Sequence, residues 1–308
     1  MKVLVLGAGG ALGRPLVQSL RTRGVAVRAA CRHPGTLADL AALGAETVAA
    51  DLVDRASLER ACEGVQRVVM AAHGFLGRGR WRSEAVDDAG VRTLVEVARA
   101  AGVQRFVYCS AYDARPGHPV DFLATKARLE QVVRDSGMAF VLLRPTAFME
   151  HHVHAFNGAM LLAKGKAQLI GPSGKPRNFV AASDVARIAE RALLDDPLTF
   201  DTLDIGGHDH LSNAQVAELY AREAGLPLRV SRLPAGLARG LAAVLRPLHP
   251  GVARVLSLAA LPDEAFSERF DGAVELEQRF GLRLKRLPEF VREQVAAWRQ
   301  VGGQAPRA

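Results

Sequence analysis

Tyrosine and tryptophan are scarce in this sequence: 308 residues hold three tyrosines and two tryptophans. Chemistry that needs a phenol has few places to come from. The three cysteines, Cys31, Cys62 and Cys109, lack any CxxC spacing. They exclude a disulfide framework and read as buried thiols of a reducing compartment. No run reaches the ~18 uninterrupted apolar residues of a membrane span, and the apolar stretch 236–248 is broken by Arg239 and Arg246. The first residues lack the apolar region and cleavage site of a signal peptide, so a cytoplasmic location is the expectation. Blocks of five or six like charges are also missing, although the formal net charge is +8. Positive charge spread in this way argues against a nucleic-acid partner and suits a polyanionic cofactor.

Hydrophobic residues make up 49% and charged residues 23%, an ordinary globular composition. The first 150 residues alternate short β-branched runs with helical patterns: KVLVLG, ALGRPLVQSLRTRG, VAVRAA, SLERACEG, RVVMAA, RFVYCS and AFVLLR. A long helix is expected over 84–102 and another over DFLATKARLEQVVRDSG. Strands that alternate with helices imply a parallel sheet buried on both faces. The rhythm changes after Pro145, and residues 146–182 read as irregular, with GPSGKPR a loop. The expected architecture is α/β: a Rossmann-type doubly wound parallel sheet with a smaller C-terminal substrate-capping region. Residues 1–150 form the first domain, with segments of about 178–206 returning to it, and 151–308 the second.

The strongest motif is VLVLGAGGALGRPL. Gly7, Gly10 and Gly13 give G-x-x-G-x-x-G, and Gly9 also fits a dinucleotide pattern. Lying between a strand and a helix, such glycines allow a tight turn and close approach of backbone N–H groups to a pyrophosphate. The end of the second strand selects the cofactor. It carries Arg32, 19 residues after Gly13, with no acid before Asp39. A guanidinium there suits a 2′-phosphate, so the expected cofactor is NADP(H). Asp51, which closes the third strand, is placed to meet the adenine. The cofactor set is thus Gly7, Gly9, Gly10, Ala11, Leu12 and Gly13 in the loop, with Arg32. Asp51 and Leu52 follow the third strand, Ala71 and Ala72 the fourth.

GAGGALGRPLVQSL, RHP, ADLVD, VDDAGVRTLVEVARAAGVQRFVYCSA, LRPTAFMEH and FVAASDVARIAERAL follow one another along residues 1–225. In this order they resemble the atypical short-chain dehydrogenases/reductases of the NmrA-like branch. The resemblance implies a serine at Ser110 that polarises an acceptor and a lysine at Lys126 that binds the cofactor ribose. The usual catalytic tyrosine is replaced by Phe122, which disfavours tyrosine-dependent epimerases and dehydratases. Tyr112 is the nearest phenol. Isoflavone-reductase-like enzymes share this Phe-x-x-x-Lys, and there the lysine alone is thought to move the proton. A lysine can do so when desolvation or a neighbouring cation lowers its pKa.

MEHHVH places His151, His152 and His154 together, without the spacing or partners of a metal site. By resemblance they border the substrate pocket. The RGRWR loop, 78–82, follows the fourth strand, on the ligand-binding edge of open α/β sheets. The reading is a reductase that moves hydride between NADPH and a small apolar or quinone-like acceptor, with Ser110 and Lys126 as catalytic residues and no metal. A second reading keeps the cofactor without turnover, as a redox sensor acting through a protein partner. A third has an electron-transport assembly subunit holding NADPH structurally, suggested by the apolar 236–261 region. A homodimer is compatible with either role.

Overall fold

The computed structural model describes residues 1–195, 197–262 and 268–302. The strands are β1 (Lys2–Leu6), β2 (Ala26–Cys31), β3 (Glu46–Ala49), β4 (Arg67–Met70), β5 (Arg105–Cys109) and β6 (Ala139–Pro145). They continue with β7 (Ala147–Phe148), β8 (Lys166–Ile170), β9 (Arg177–Val180), β10 (Asp201–Ile205), β11 (His210–Leu211) and β12 (Arg229–Leu233). The helices are α1 (Gly13–Thr22), α2 (Ala38–Ala42), α3 (Arg55–Cys62), α4 (Val91–Ala100), α5 (Asp121–Arg134) and α6 (Ala159–Lys164). After these come α7 (Ala182–Leu194), α8 (Asn213–Ala224), α9 (Ala235–Leu245), α10 (Pro250–Ala259), α11 (Ala273–Phe280) and α12 (Leu287–Gln300). Two compact units result: Met1–Arg144 with Ala182–Asp204, and Pro145–Ala181 with Ile205–Ala308.

The first unit is built on a seven-stranded sheet in the order β10-β6-β5-β4-β1-β2-β3. Every pairing from β3 through β6 is parallel. Val3, Leu4 and Val5 of β1 are fully buried, as expected of a strand covered on both faces. Leu4, Met70, Phe106, Tyr108 and Leu142 belong to one core cluster. This is the doubly wound α/β sheet expected from the sequence. Strand order reverses where β4, not β2, flanks β1 on one side, which makes the carboxyl ends of β1 and β4 the switch point where such sheets bind ligands.

The segment carrying α7 and β10 is fixed to the first unit by polar contacts. Buried Arg105 donates to the carbonyls of Ala192 (3.2 Å) and Asp195 (3.0 Å), placing a cation at the C-terminal end of α7. Ser19 of α1 donates to Glu190 of α7.

Two sequence expectations need correction. The helix expected over 84–102 is a π-helix over Glu84–Gly90 that passes into α4 at Val91. Its wider turn holds buried Asp87, which accepts from the backbone N–H of Gly74 at 2.7 Å and from Ser83. Residues 146–182 are ordered: a second π-helix, Met149–Gly158, precedes α6, and β8 and β9 flank the loop. Its buried residues Met149, Val153 and Asn157 recur every four positions, a spacing that an α-helix shares, so residue pattern alone does not reveal the wider turn. Gly158 fits because a Cβ there would lie 2.2 Å from the Tyr220 ring.

In the second unit, the π-helix, α8 and α12 share a core that includes Met149, Val153, Tyr220 and Phe290. Helices α9 and α10 pack on each other around Ala242, Ala253 and Leu256. Among the described residues no helix is long and apolar enough to cross a membrane.

Candidate active site

The glycine loop joins β1 to α1, and its glycines divide by what surrounds them. A Cβ on Gly7, whose φ is +90°, would lie 2.7 Å from the backbone nitrogen of Ala72, so β4's exit segment Ala71–Ala72 presses directly on the loop. A Cβ on Gly13 would lie 2.2 Å from the Gly7 carbonyl oxygen. These two glycines are demanded by the fold itself. Gly9 and Gly10 are exposed, and a Cβ on either would meet nothing closer than 3.4 and 3.3 Å. The fold does not require glycine there; an approaching ligand would. Leu12 is buried, and α1 opens at Leu12 with no side-chain cap and no acid in its first turn. The Arg14 N–H is taken by the Gly10 carbonyl at 3.1 Å and Pro15 has none, so α1 would offer an anion chiefly the positive end of its dipole.

Three segments meet beyond β2 and β3. The Arg32 guanidinium lies 5.2 Å from the Trp81 ring centre, and that of Arg80 5.1 Å from it. Asp51 accepts from Trp81 Nε1 at 2.8 Å and from Arg80 at 3.3 Å, while its other oxygen accepts from the Val53 backbone N–H. Leu52 is buried against Gly90. The loop that carries Arg80 and Trp81 is anchored at Gly74 by Asp87. The sequence singled out this loop; that it folds back on Asp51 and Arg32 is a tertiary fact.

A third cluster follows β5. Lys126 is buried on α5, with Nζ donating to the Cys109 carbonyl at 2.9 Å. The ammonium lies 4.8 Å from the Tyr108 ring centre and 5.5 Å from that of Phe122. Phe122 in turn meets Phe75 edge-on at 5.1 Å. Two aromatic faces and one carbonyl therefore fix the cation where the opening turn of α5 meets the end of β5. Tyr108 offers no substitute for the missing tyrosine: it is fully buried, and burial pushes its phenol well above the ordinary value. Ser110 Oγ donates to Glu130 at 2.5 Å, and Glu130 pairs with Arg144, whose Nε lies 2.8 Å away. The hydroxyl proton expected to polarise an acceptor is directed at a carboxylate.

Sequence reasoning missed Glu130, Arg144 and His118. Phe122, Lys126 and Glu130 share one face of α5 at i, i+4 and i+8, so an acid among buried positions was the available signal. His118 organises the preceding loop: its Nδ1 accepts from Val120 N–H at 2.9 Å and its Nε2 meets Asp113 at 3.1 Å. Asp113 holds the positive φ of 62° that turns the chain.

His151 and His154 belong to the second unit, and His154 Nδ1 lies 3.0 Å from the Tyr220 hydroxyl. Among the described residues no group of three His, Cys, Asp or Glu could hold a metal ion. Burial pushes both imidazoles below their ordinary value. The unfolded chain then binds more protons once pH falls below about 6.5, so folding stability should fall as pH drops through that value. Urea midpoints at about pH 7.5 and 5.5 should differ less in the His151→Gln, His154→Gln double variant than in the natural protein.

Residues 1–289 match the NmrA-like family model, and the chain belongs to that family. It is 27% identical over 227 residues to the NAD(P)H azoreductase of Xenophilus azovorans, covering 74% of this chain and 75% of that one. It is 30% identical over 274 residues to sterol demethylase protein B of Methylococcus capsulatus, covering 81% and 82%. An NADPH-dependent quinone oxidoreductase from Escherichia coli, solved with NADPH, shares the fold with a TM-score of 0.72 and 22% identity, over 95% and 99% of the two chains.

Proposed function

We propose that this chain is an NADPH-dependent reductase of a small apolar or quinone-like acceptor. The observation that carries the reading is that an open glycine loop and a buried, aromatic-walled lysine stand at the carboxyl ends of β1 and β5, two parallel strands of one sheet with β4 between them. Gly9 and Gly10 leave room for a pyrophosphate, and Lys126 would hold the nicotinamide ribose, the role that the resemblance to the family implies. NADPH supplies hydride when bound; hydride and one proton together convert a quinone to a hydroquinone.

The missing phenol restricts the acceptor. Hydride transfer to an ordinary ketone leaves an alkoxide, so a well-placed acid must supply a proton as the bond forms. A quinone yields a resonance-stabilised anion that takes its proton later, from water or from Lys126. The buried ammonium stabilises the developing negative charge without first giving up its proton. Ser110 keeps the β5–α5 junction in register through Glu130 and Arg144 and is available to an acceptor when its hydroxyl turns. The azoreductase and quinone oxidoreductase relatives bear names that fit such electron-poor substrates.

NADPH is favoured over NADH because no acid follows β2 and two guanidiniums gather there. Arg32 and Arg80 would hold the 2′-phosphate, with Trp81 beside the adenine and Asp51 holding the loop in place. Losing one charged hydrogen bond costs ~1.5–3 kcal/mol. Arg32→Ala should therefore weaken NADPH binding about tenfold or more and leave NADH binding nearly unchanged, with Arg80→Ala milder. Calorimetric titration with both nucleotides checks this; an unchanged preference in both variants would take the guanidiniums out of the site.

Turnover is tested by NADPH oxidation with a panel of quinones, azo compounds, enones and aldehydes. Quinones or azo compounds should be reduced, and Lys126→Ala should lose most of that rate. Tight NADPH binding with no turnover on any acceptor would overturn the reductase reading in favour of a sensor.

A further inference from the structure

Phe75 stands on the loop that leaves β4, in a turn closed by the Gly77 N–H donating to the Gly74 carbonyl at 2.7 Å. The Gly74 N–H is itself held by buried Asp87. A Cβ on Gly77 would lie 1.8 Å from the Trp81 carbonyl oxygen, so the loop is folded tightly on itself. The turn presents Phe75 from a fixed base, which lowers the ordering cost for a guest that meets it.

The Phe75 and Phe122 rings meet at an interplanar angle of 81°, with centres 5.1 Å apart. Both residues are half-buried. Two rings so nearly perpendicular make a corner. A flat ring set into it stacks on one phenyl while turning its edge to the other, the two arrangements that aromatic pairs prefer. Beside Phe122 the site turns polar. Lys126 is 4% exposed, and its Nζ lies 5.5 Å from the Phe122 ring centre. Among the described residues its hydrogen-bond partner is the Cys109 carbonyl, and no carboxylate pairs with it. An ammonium has three donors, so those beyond Cys109 call for oxygen acceptors from outside the chain.

We propose that Phe75 is a specificity-determining residue of the acceptor site. With Phe122 it selects flat aromatic rings that bear a carbonyl oxygen, and fused bicyclic quinones above single-ring ones. A fused second ring extends the stacked area while the carbonyl stays beside Lys126. The inference rests on the reductase reading for what the acceptor undergoes, and on the corner for what binds.

Binding and turnover are therefore measured separately, with dimethylnaphthoquinone and tetramethylbenzoquinone. The two differ in whether the far side carries a fused ring or two methyl groups, and neither leaves a quinone position open to a thiol. Calorimetric titration into the full chain with saturating NADP+ reads binding where no hydride can pass. Dimethylnaphthoquinone should bind more tightly, and Phe75→Leu should shrink that preference about threefold to tenfold, the worth of one aromatic pair. Phe75→Tyr keeps the ring and should keep the preference. In NADPH oxidation the ratio of the two kcat/KM values should shrink by the same factor in Phe75→Leu. Comparing ratios between variants cancels the intrinsic reactivity of each quinone. Absence of the preference in the natural protein would overturn the proposal whatever the variants do. Turnover of both quinones with a preference untouched by Phe75→Leu would overturn it too and leave the reductase standing. A binding preference lost in Phe75→Leu, without any NADPH oxidation, would uphold the corner and overturn the reductase.

Discussion

Gly10→Val should abolish NADPH binding in a chain that still folds. Gly10 is exposed, and a Cβ there would sit 3.3 Å from the Gly7 carbonyl oxygen, a contact relieved by a shift of a few tenths of an ångström. The two further methyl groups of valine project from a loop whose N–H groups would hold the pyrophosphate. Displacing that phosphate forfeits one or two charge-assisted hydrogen bonds of ~1.5–3 kcal/mol each. The expected loss of affinity is ~100-fold or more, read by calorimetry, with an unchanged melting temperature for the free protein. Gly13→Val cannot serve the same purpose. Its Cβ would lie 2.2 Å from the Gly7 carbonyl and 2.8 Å from Ala8 Cα, so it attacks the fold and says nothing about the ligand. Normal NADPH affinity in folded Gly10→Val would displace the phosphate from this loop.

The largest expected loss of stability follows Arg144→Ala. Glu130 is 3% exposed, and its carboxylate is held by Arg144 and Ser110. Removing one partner of a buried ion pair costs ~3–5 kcal/mol, because the other charge is left without compensation. Arg144 keeps some contact with water, so the lower end, about 3 kcal/mol, is expected in urea unfolding. A double change, Glu130→Gln with Arg144→Met, removes both charges and should restore much of that loss. If Arg144→Ala lost less than about 1 kcal/mol, the Glu130 charge would have another route to compensation, and the triad would not hold β5 and α5 in register.

The missing phenol at Phe122 and the buried lysine four residues later are a more local matter. Both lie on one face of α5, which the i, i+4 spacing already stated, and the structure adds the walls: Phe75 behind Phe122, Tyr108 behind Lys126. Those walls come from β5 and the loop after β4, segments distant in sequence, and no spacing rule reaches them.

The sequence by itself determined the α/β class, the glycine loop and the family, because each is written in short-range pattern. Strand runs buried on both faces, glycines placed between a strand and a helix, and a period of 3.6 are properties of consecutive residues. It did not determine the two π-helices, because residues four apart can share a face in either kind of turn. Nor did it reveal that Trp81 folds back on Asp51 and Arg32, that Glu130 gathers Ser110 and Arg144, or that α9 leaves its leucines uncovered. Hydrogen bonds and ion pairs between distant segments depend on which strand ends the sheet order brings side by side. Exposure depends on which face a helix turns to its neighbour. Local residue preference is blind to both, and tertiary packing decides them.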